Sequence, residues 1–286
     1  MKTTQIINKL KENDQDFEWY PTDSAIVQII AKDLKHKDEK GFSLLDIGAG
    51  NGNIFKLLKD HDCEPVKKYA IEKSSILTSQ MEPNVFIIGT DFDHQTLIDK
   101  KIDVIFCNPP YSKYEEWVVK IIEESFCDII YLVIPDRWKD NERIQKALKS
   151  RKANAHKIGS FDFLDSQYRK ARAKVDILSI KISDSYYNRE TCKVDPFDLW
   201  FDKNFKIDIN KEDSYDHLKS KSENIQSQII KGQNLIERLV ELYNNDMAKL
   251  IDNYKSLEKM DCELLKELNA SIQGLKEGLK LKITCL

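Results

Sequence analysis

Between residues 43 and 182, short apolar runs alternate with amphipathic helical segments, and this alternation constrains the fold more than any other feature of the chain. Strands are expected at 43–47, 68–71, 85–89, 103–107 and 129–134, with helices over 54–59, 74–81 and 114–125 between them and a basic helix over 140–152 beyond. The run 129–134 is almost continuously apolar, as in a strand buried on both faces. Parallel neighbours need crossover connections, and the intervening helices supply them. The pattern predicts an α/β fold, a doubly wound Rossmann-like sheet of about seven strands covered by helices on both faces. Two last strands, near 156–163 and 175–182, are joined by a short polar link and are expected to form an antiparallel hairpin at the sheet edge. A helix over 24–35, with Asp23 or Ser24 as its N-cap, precedes the first strand.

The C-terminal part reads differently. No proline follows Pro196. From residue 225, apolar residues recur with 4-3 spacing at Ile225, Ile229, Ile236, Val240, Tyr243, Met247, Leu250, Tyr254 and Leu257, a heptad-type seam. Either the seam closes an intramolecular helical pair, with Asn244-Asn245-Asp246 as a candidate turn, or it dimerises the chain as a coiled coil. Two domains are expected: 1–190, carrying the chemistry, and a mainly helical 191–286.

Composition removes several classes. The chain has 286 residues, 41% hydrophobic and 33% charged, which is enough to bury a core. It has no apolar run of the roughly 18–20 residues that a membrane helix needs, and no membrane association is expected. The N-terminus lacks the apolar stretch of a secretory signal. Six scattered cysteines without a Cys-x-x-Cys pair, with five dispersed histidines, give no metal site and suit reduced thiols in the cytoplasm.

Four of the nine glycines, Gly41, Gly48, Gly50 and Gly52, fall within twelve residues. Leu44-Leu45-Asp46-Ile47-Gly48-Ala49-Gly50-Asn51-Gly52-Asn53 is a strand entering a glycine turn that opens a helix. Such a turn lets a ligand approach bare backbone, and the helix start offers unpaired N–H groups. The pattern alone suits a nucleoside-cofactor loop, a dinucleotide loop or an ordinary turn. Three details favour S-adenosylmethionine over NAD: Asp46 just before the turn, within reach of an ammonium; Gly-x-Gly-x-Gly spacing; and Glu72 ending the next strand, where an acid can bind both ribose hydroxyls. Glu72 as a solvated strand-end charge is the plainer alternative. These residues resemble the glycine loop of class I S-adenosylmethionine-dependent methyltransferases.

The strand at 103–107 runs into Asn108-Pro109-Pro110-Tyr111. A proline turn explains Pro110 but neither Asn108 nor Tyr111. The lone pair of a planar amino nitrogen is delocalised, so the nitrogen is a poor nucleophile. Two hydrogen-bond acceptors, the Asn108 side-chain oxygen and the Pro109 carbonyl, can pull it toward tetrahedral geometry. Proline holds that carbonyl in place, and Tyr111 offers a face for a flipped base. Positioning and preorganised dipoles then suffice, without a metal or a covalent nucleophile. The tetrapeptide resembles the catalytic motif of amino-methyltransferases, where it is found mainly in adenine N6 enzymes and also in enzymes acting on release-factor glutamine or on RNA.

Other positions extend the resemblance. Phe17-Glu18-Trp19-Tyr20-Pro21-Thr22 resembles the N-terminal motif that DNA adenine methyltransferases place over the methionine part of the cofactor. Tyr20 or Trp19 then meets the sulfonium and Thr22 the carboxylate; an aromatic anchor for the N-terminus is the alternative. In Gly89-Thr90-Asp91-Phe92-Asp93, Asp91 followed by Phe92 matches the adenine-binding position of the family, with Asp93 as rival. The motif order resembles gamma-group and phage-type adenine methyltransferases, over roughly residues 15–185.

Residues 137–174 hold 12 Lys or Arg against 4 Asp or Glu, a local +8 in a chain of net −3. Trp138, Lys139, Tyr168, Arg169, Lys170 and Arg172 are the candidate nucleic-acid contacts; a solvated helix face is the alternative, chiefly for 139–152. The expected substrate is adenine in DNA, ahead of RNA and of protein glutamine. A cofactor-binding module without catalysis, recruiting a partner through the helical tail, would have no need of Asn108–Tyr111.

Overall fold

A computed structural model describes residues 3–35, 41–182, 194–204, 235–258, 265 and 271–285. The chain divides into two compact units, 1–200 and 201–286.

The first unit is built on a seven-stranded sheet. Its strands are β1 (Ser43–Ile47), β2 (Lys67–Ile71), β3 (Val85–Gly89), β4 (Val104–Cys107), β5 (Ile129–Pro135), β6 (Asn154–Asp162) and β7 (Lys174–Lys181). The spatial order is β3-β2-β1-β4-β5-β7-β6. The five strands from β3 to β5 are parallel; β7 runs antiparallel to both β5 and β6. The expected hairpin is therefore present, with its second strand inserted between β5 and β6. The reason lies in burial. Six of the eight residues of β7 are buried, whereas β6 has none that is fully buried. The apolar strand takes the inner position, and the polar one becomes the edge.

The helices of this unit are α1 (Thr3–Glu12), α2 (Ser24–Lys35), α3 (Asn53–Asp60), α4 (Ser75–Thr78), α5 (Tyr114–Glu124) and α6 (Glu142–Ser150). Helices α2 and α3 cover one face of the sheet, α5 and α6 the other. Strand β5 shows the two-residue period of a doubly covered strand: Ile130, Leu132 and Ile134 join the α5–α6 side, while Ile129, Tyr131 and Val133 join the α2–α3 side. Asp23 caps α2, accepting from the Ala25 N–H at 3.2 Å. Helix α1, which the sequence pattern did not announce, buries Ile6 and Leu10 against Trp19 and Leu77.

Arg151, at the end of α6, is fully buried and donates to the carbonyls of Glu123 and Ser125, both at 2.9 Å. These bonds satisfy orphan carbonyls at the end of α5 and tie the two helices together.

Helix α7 (Pro196–Asn204) straddles the boundary between the units, with Pro196 at its first turn and Asp195 accepting from the Phe197 N–H. In the second unit, α8 (Leu235–Glu258) and α9 (Ile272–Cys285) are helical. Helix α8 runs unbroken through Asn244-Asn245-Asp246, so no turn forms there. A Cβ on Gly278 would lie 3.3 Å from the Tyr254 hydroxyl, which brings α9 alongside α8. Ile225 and Ile229 of the seam lie outside the described residues. Among the described residues, no helix is long and apolar enough to cross a membrane.

Candidate active site

The register fixes where the chemistry sits. Ile47 of β1 pairs with Ile71 of β2 on one side and Cys107 of β4 on the other. Gly48, Glu72 and Asn108 each follow directly, so the three sequence motifs emerge side by side at the carboxyl ends of adjacent strands. Strand order reverses between β1 and β4, and the crevice at such a reversal is where open α/β sheets bind ligands. A cavity of about 250 Å3 lies there, lined by Gly48, Glu72, Asp91, Phe92 and Asn108.

The glycine turn is shaped for close approach. Gly48, Gly50 and Gly52 have φ of 75°, 58° and 72°. At Gly50 a Cβ would meet the Trp19 indole at 2.3 Å, and at Gly48 it would meet the Trp117 ring at 3.1 Å. Both are also in the left-handed region that side chains resist. Glu72 stiffens the turn from below: one carboxylate oxygen accepts from the Gly50 N–H at 2.7 Å, the other from the Ser74 N–H at 2.8 Å. It is buried, which rules out the solvated strand-end reading. Burial raises its carboxyl to about 6, against the pull of those N–H groups.

Asp46 is 3% exposed, and burial, with the nearby Glu72 charge, pushes its carboxyl well up. Its Oδ1 and the Asn51 Oδ1 are buried with no hydrogen-bond partner among the described residues. Both residues border a smaller cavity beside Thr22 and Gly48. Two orphaned acceptors on residues that line one small cavity suit a donor-rich cation such as an ammonium. The residues present thus fit S-adenosylmethionine: acceptors for its ammonium, a carboxylate for its ribose, and aromatic rings around the larger cavity.

A strap formed by residues 13–22 crosses the crevice. Tyr20 lies on the cavity wall, and Thr22 is buried with its carbonyl accepting from Asn53 Nδ2 at 2.8 Å. Glu18 takes a φ of 57°, and its carboxylate accepts from the Ser112 N–H at 3.1 Å. Most directly, the Tyr20 carbonyl accepts from Asn108 Nδ2 at 3.1 Å. That bond orients the Asn108 amide with its nitrogen toward the strap. Pro109 is buried, and the Lys113 N–H closes the turn onto the Pro110 carbonyl at 3.0 Å.

Tyr111 stands outside the main cavity, 37% exposed. The Arg137 guanidinium lies 5.5 Å from its ring centre and 5.2 Å from that of Tyr114. On the opposite wall, Asp91 caps a short turn and accepts from Lys73 Nζ at 2.7 Å, which holds its carboxyl below the ordinary value although burial opposes this. Phe92 is buried edge-on to Trp117 at 4.8 Å. The rival Asp93 lines the same cavity and accepts from Lys113 Nζ at 2.6 Å and Trp117 Nε1 at 3.1 Å.

The basic stretch does not stay together. Trp138 is 5% exposed, and its indole N–H donates to Asp176 at 3.1 Å. It belongs to the core, which removes it from the candidate interface; its charged neighbours in sequence, Asp136, Arg137, Lys139 and Asp140, gave no sign of this. Arg169 turns inward, toward the strap. Lys139, Lys170 and Arg172 are exposed and Tyr168 is half-buried. Trp117, Lys73, Glu18 and Asn51 line the two cavities without having been singled out. Asn51, inside the glycine turn, and Glu18, inside the motif at 17–22, carried a local signal.

Fold and site together define a doubly wound α/β protein with a nucleoside-type crevice at the strand-order reversal. No protein-family model and no curated protein matches the chain. Among solved structures, the chain is similar to a putative class I S-adenosylmethionine-dependent methyltransferase from Listeria monocytogenes, at 17% identity and TM-score 0.45, over 63% of this chain and 68% of that one. It is also similar to a putative RNA methyltransferase from Pyrococcus horikoshii, at 16% identity and TM-score 0.44, over 55% and 80%. A magnesium protoporphyrin IX methyltransferase from Synechocystis with bound S-adenosylmethionine is similar at 12% identity and TM-score 0.40, over 63% and 97%.

Proposed function

We propose that the chain is an S-adenosylmethionine-dependent methyltransferase acting on the exocyclic N6 of adenine in nucleic acid, with DNA as the favoured substrate. The observation that carries this reading is the Asn108 amide, held by the Tyr20 carbonyl beside a cavity whose glycine turn, Asp46 and Glu72 suit the cofactor. The cofactor supplies an electrophilic methyl group on its sulfonium. Asp46 and Asn51 would hold the ammonium, Glu72 the ribose, and Asp91 with Phe92 the adenine edge and face.

Asn108 Oδ1 and the Pro109 carbonyl accept from the two N–H bonds of the substrate amine. This draws the nitrogen lone pair out of conjugation and aims it at the methyl group. Tyr111 stacks on the substrate ring, which must leave the base stack at a cost of about a few kcal/mol. Lys139, Tyr168, Lys170 and Arg172 meet the phosphates, which favours a nucleic acid over a glutamine side chain.

Incubating the protein with isotope-labelled S-adenosylmethionine and separate pools of DNA, RNA and protein tests the reading. N6-methyladenine is the expected product in the DNA pool, and Asn108→Ala is expected to abolish it while leaving cofactor binding intact. Label appearing in RNA or in glutamine reassigns the substrate. Full activity of Asn108→Ala would overturn the mechanism.

A further inference from the structure

Arg169 leaves β6 in the link to β7, within a run of basic residues, yet its guanidinium does not face solvent. Its side chain is 18% exposed. Nη1 donates to Asp16 Oδ1 at 2.9 Å and to the Trp19 carbonyl at 2.7 Å; Nη2 donates to Asp16 Oδ2 at 3.0 Å. The fork is thus bidentate on one carboxylate with a third bond to backbone, a geometry that lysine cannot reproduce. The same guanidinium lies 4.3 Å from the centre of the Tyr20 ring.

All three partners belong to the strap, and the next peptide group in the strap is the one that matters. Arg169 holds the Trp19 carbonyl, and the neighbouring Tyr20 carbonyl accepts from Asn108 Nδ2. A second tie runs parallel: the buried Asp23 carboxylate accepts from the Gln167 N–H at 2.9 Å and the Ser166 hydroxyl at 3.4 Å. The link between β6 and β7 therefore grips the strap on both sides of Tyr20.

We infer that Arg169 is a positioning residue, which sets the orientation of the Asn108 amide through the strap and couples the β6–β7 link to the reacting centre. The inference rests on the methyltransferase reading for its consequence in catalysis, but not for the geometry itself. A carboxamide free to rotate presents its NH2 to the substrate amine half of the time, donor against donor. Loosening the strap therefore lowers the rate of the chemical step rather than affinity, since small misplacements of a catalytic group cost about 100-fold.

The test compares Arg169→Ala, Arg169→Lys and Asp16→Asn in the full chain. The first readout needs no activity: the side-chain NH2 resonances of Asn108, identified by their loss in Asn108→Ala. In the parent they are expected at the shifts of a hydrogen-bonded amide, and in all three variants to move together toward those of a free asparagine. The second readout is methyl transfer. A 10- to 100-fold fall in kcat with substrate KM changed less than threefold is expected for Arg169→Ala, with Arg169→Lys close behind. Asp16→Asn is expected to fall comparably, and combining it with Arg169→Ala to add little.

A phosphate contact at Arg169 would instead raise KM, leave kcat unchanged, reduce the salt slope of binding by about one, and leave Asp16→Asn neutral or tighter; that outcome overturns the inference. Unmoved Asn108 resonances overturn it as well. If the parent transfers no methyl group to any substrate, the proposed function fails, while the resonances still decide the geometric claim.

Discussion

Asp46 and Glu72 lie together beneath the glycine turn, and each ionises less readily than a free carboxyl group. For Glu72 the sign follows from the proton. The native state binds it up to about 6, the unfolded chain only to about 4.5. Stability contributed by this group is thus full below 4.5 and is lost as pH rises through 6, by about 2 kcal/mol. A cofactor donating to the Glu72 carboxylate prefers its ionised form, so its binding should tighten over the same range. Calorimetric titration with S-adenosylmethionine at pH 5.5 and 7.5 measures this; affinity independent of pH would argue against Glu72 as a ligand. Glu72 was legible as a ligand candidate because it ends the strand that follows the glycine loop. Its hold on the Gly50 N–H was not, since that contact exists only once β1 and β2 are paired.

At the scale of elements, the glycine turn and the strap are complementary surfaces. Trp19 occupies the space that a Cβ on Gly50 would fill. Gly50→Ala must displace the indole and also hold alanine at a φ near 58°. The expected cost is about 1–3 kcal/mol in urea denaturation, together with weaker cofactor binding. Unchanged stability would mean that the strap does not rest on the turn. The strands and crossover helices were legible because each carries its own periodicity. Helix α1 was not: Thr3–Glu12 presents only Ile6, Ile7 and Leu10, too few for a stripe, and is held by Trp19 and Leu77, which lie outside it. The order of the last two strands was also hidden, because a hairpin can add to a sheet by either strand, and burial of the whole set decides which.

For the whole molecule, the open matter is what the seam on α8 serves. Tyr243, Met247, Leu250 and Tyr254 are each less exposed than Asp246, Lys249 and Asp252 between them, so the heptad spacing does mark one face. Helix α9 lies alongside α8 within one chain; homodimerisation through these helices is our further proposal. Sedimentation equilibrium of the intact protein tests it: twice the chain mass supports the dimer, and a single chain mass at all concentrations removes it. The periodicity of the seam could be read from sequence; its partner could not, because the same spacing serves both arrangements.

The grip of the link on the strap also carries a consequence for how the protein is made. Asp16 and Arg169 are 153 residues apart, and Asp23 and Gln167 are 144 apart. Contacts of such separation carry a large loop-closure cost and form late in folding. The glycine turn, by contrast, is completed by Glu72, only 22 residues from Gly50. In a chain emerging from the ribosome, the residues of the glycine turn and Glu72 are therefore all present well before Arg169 is synthesised. On our reading of the site, the grip that orients Asn108 is the last part of it to be made.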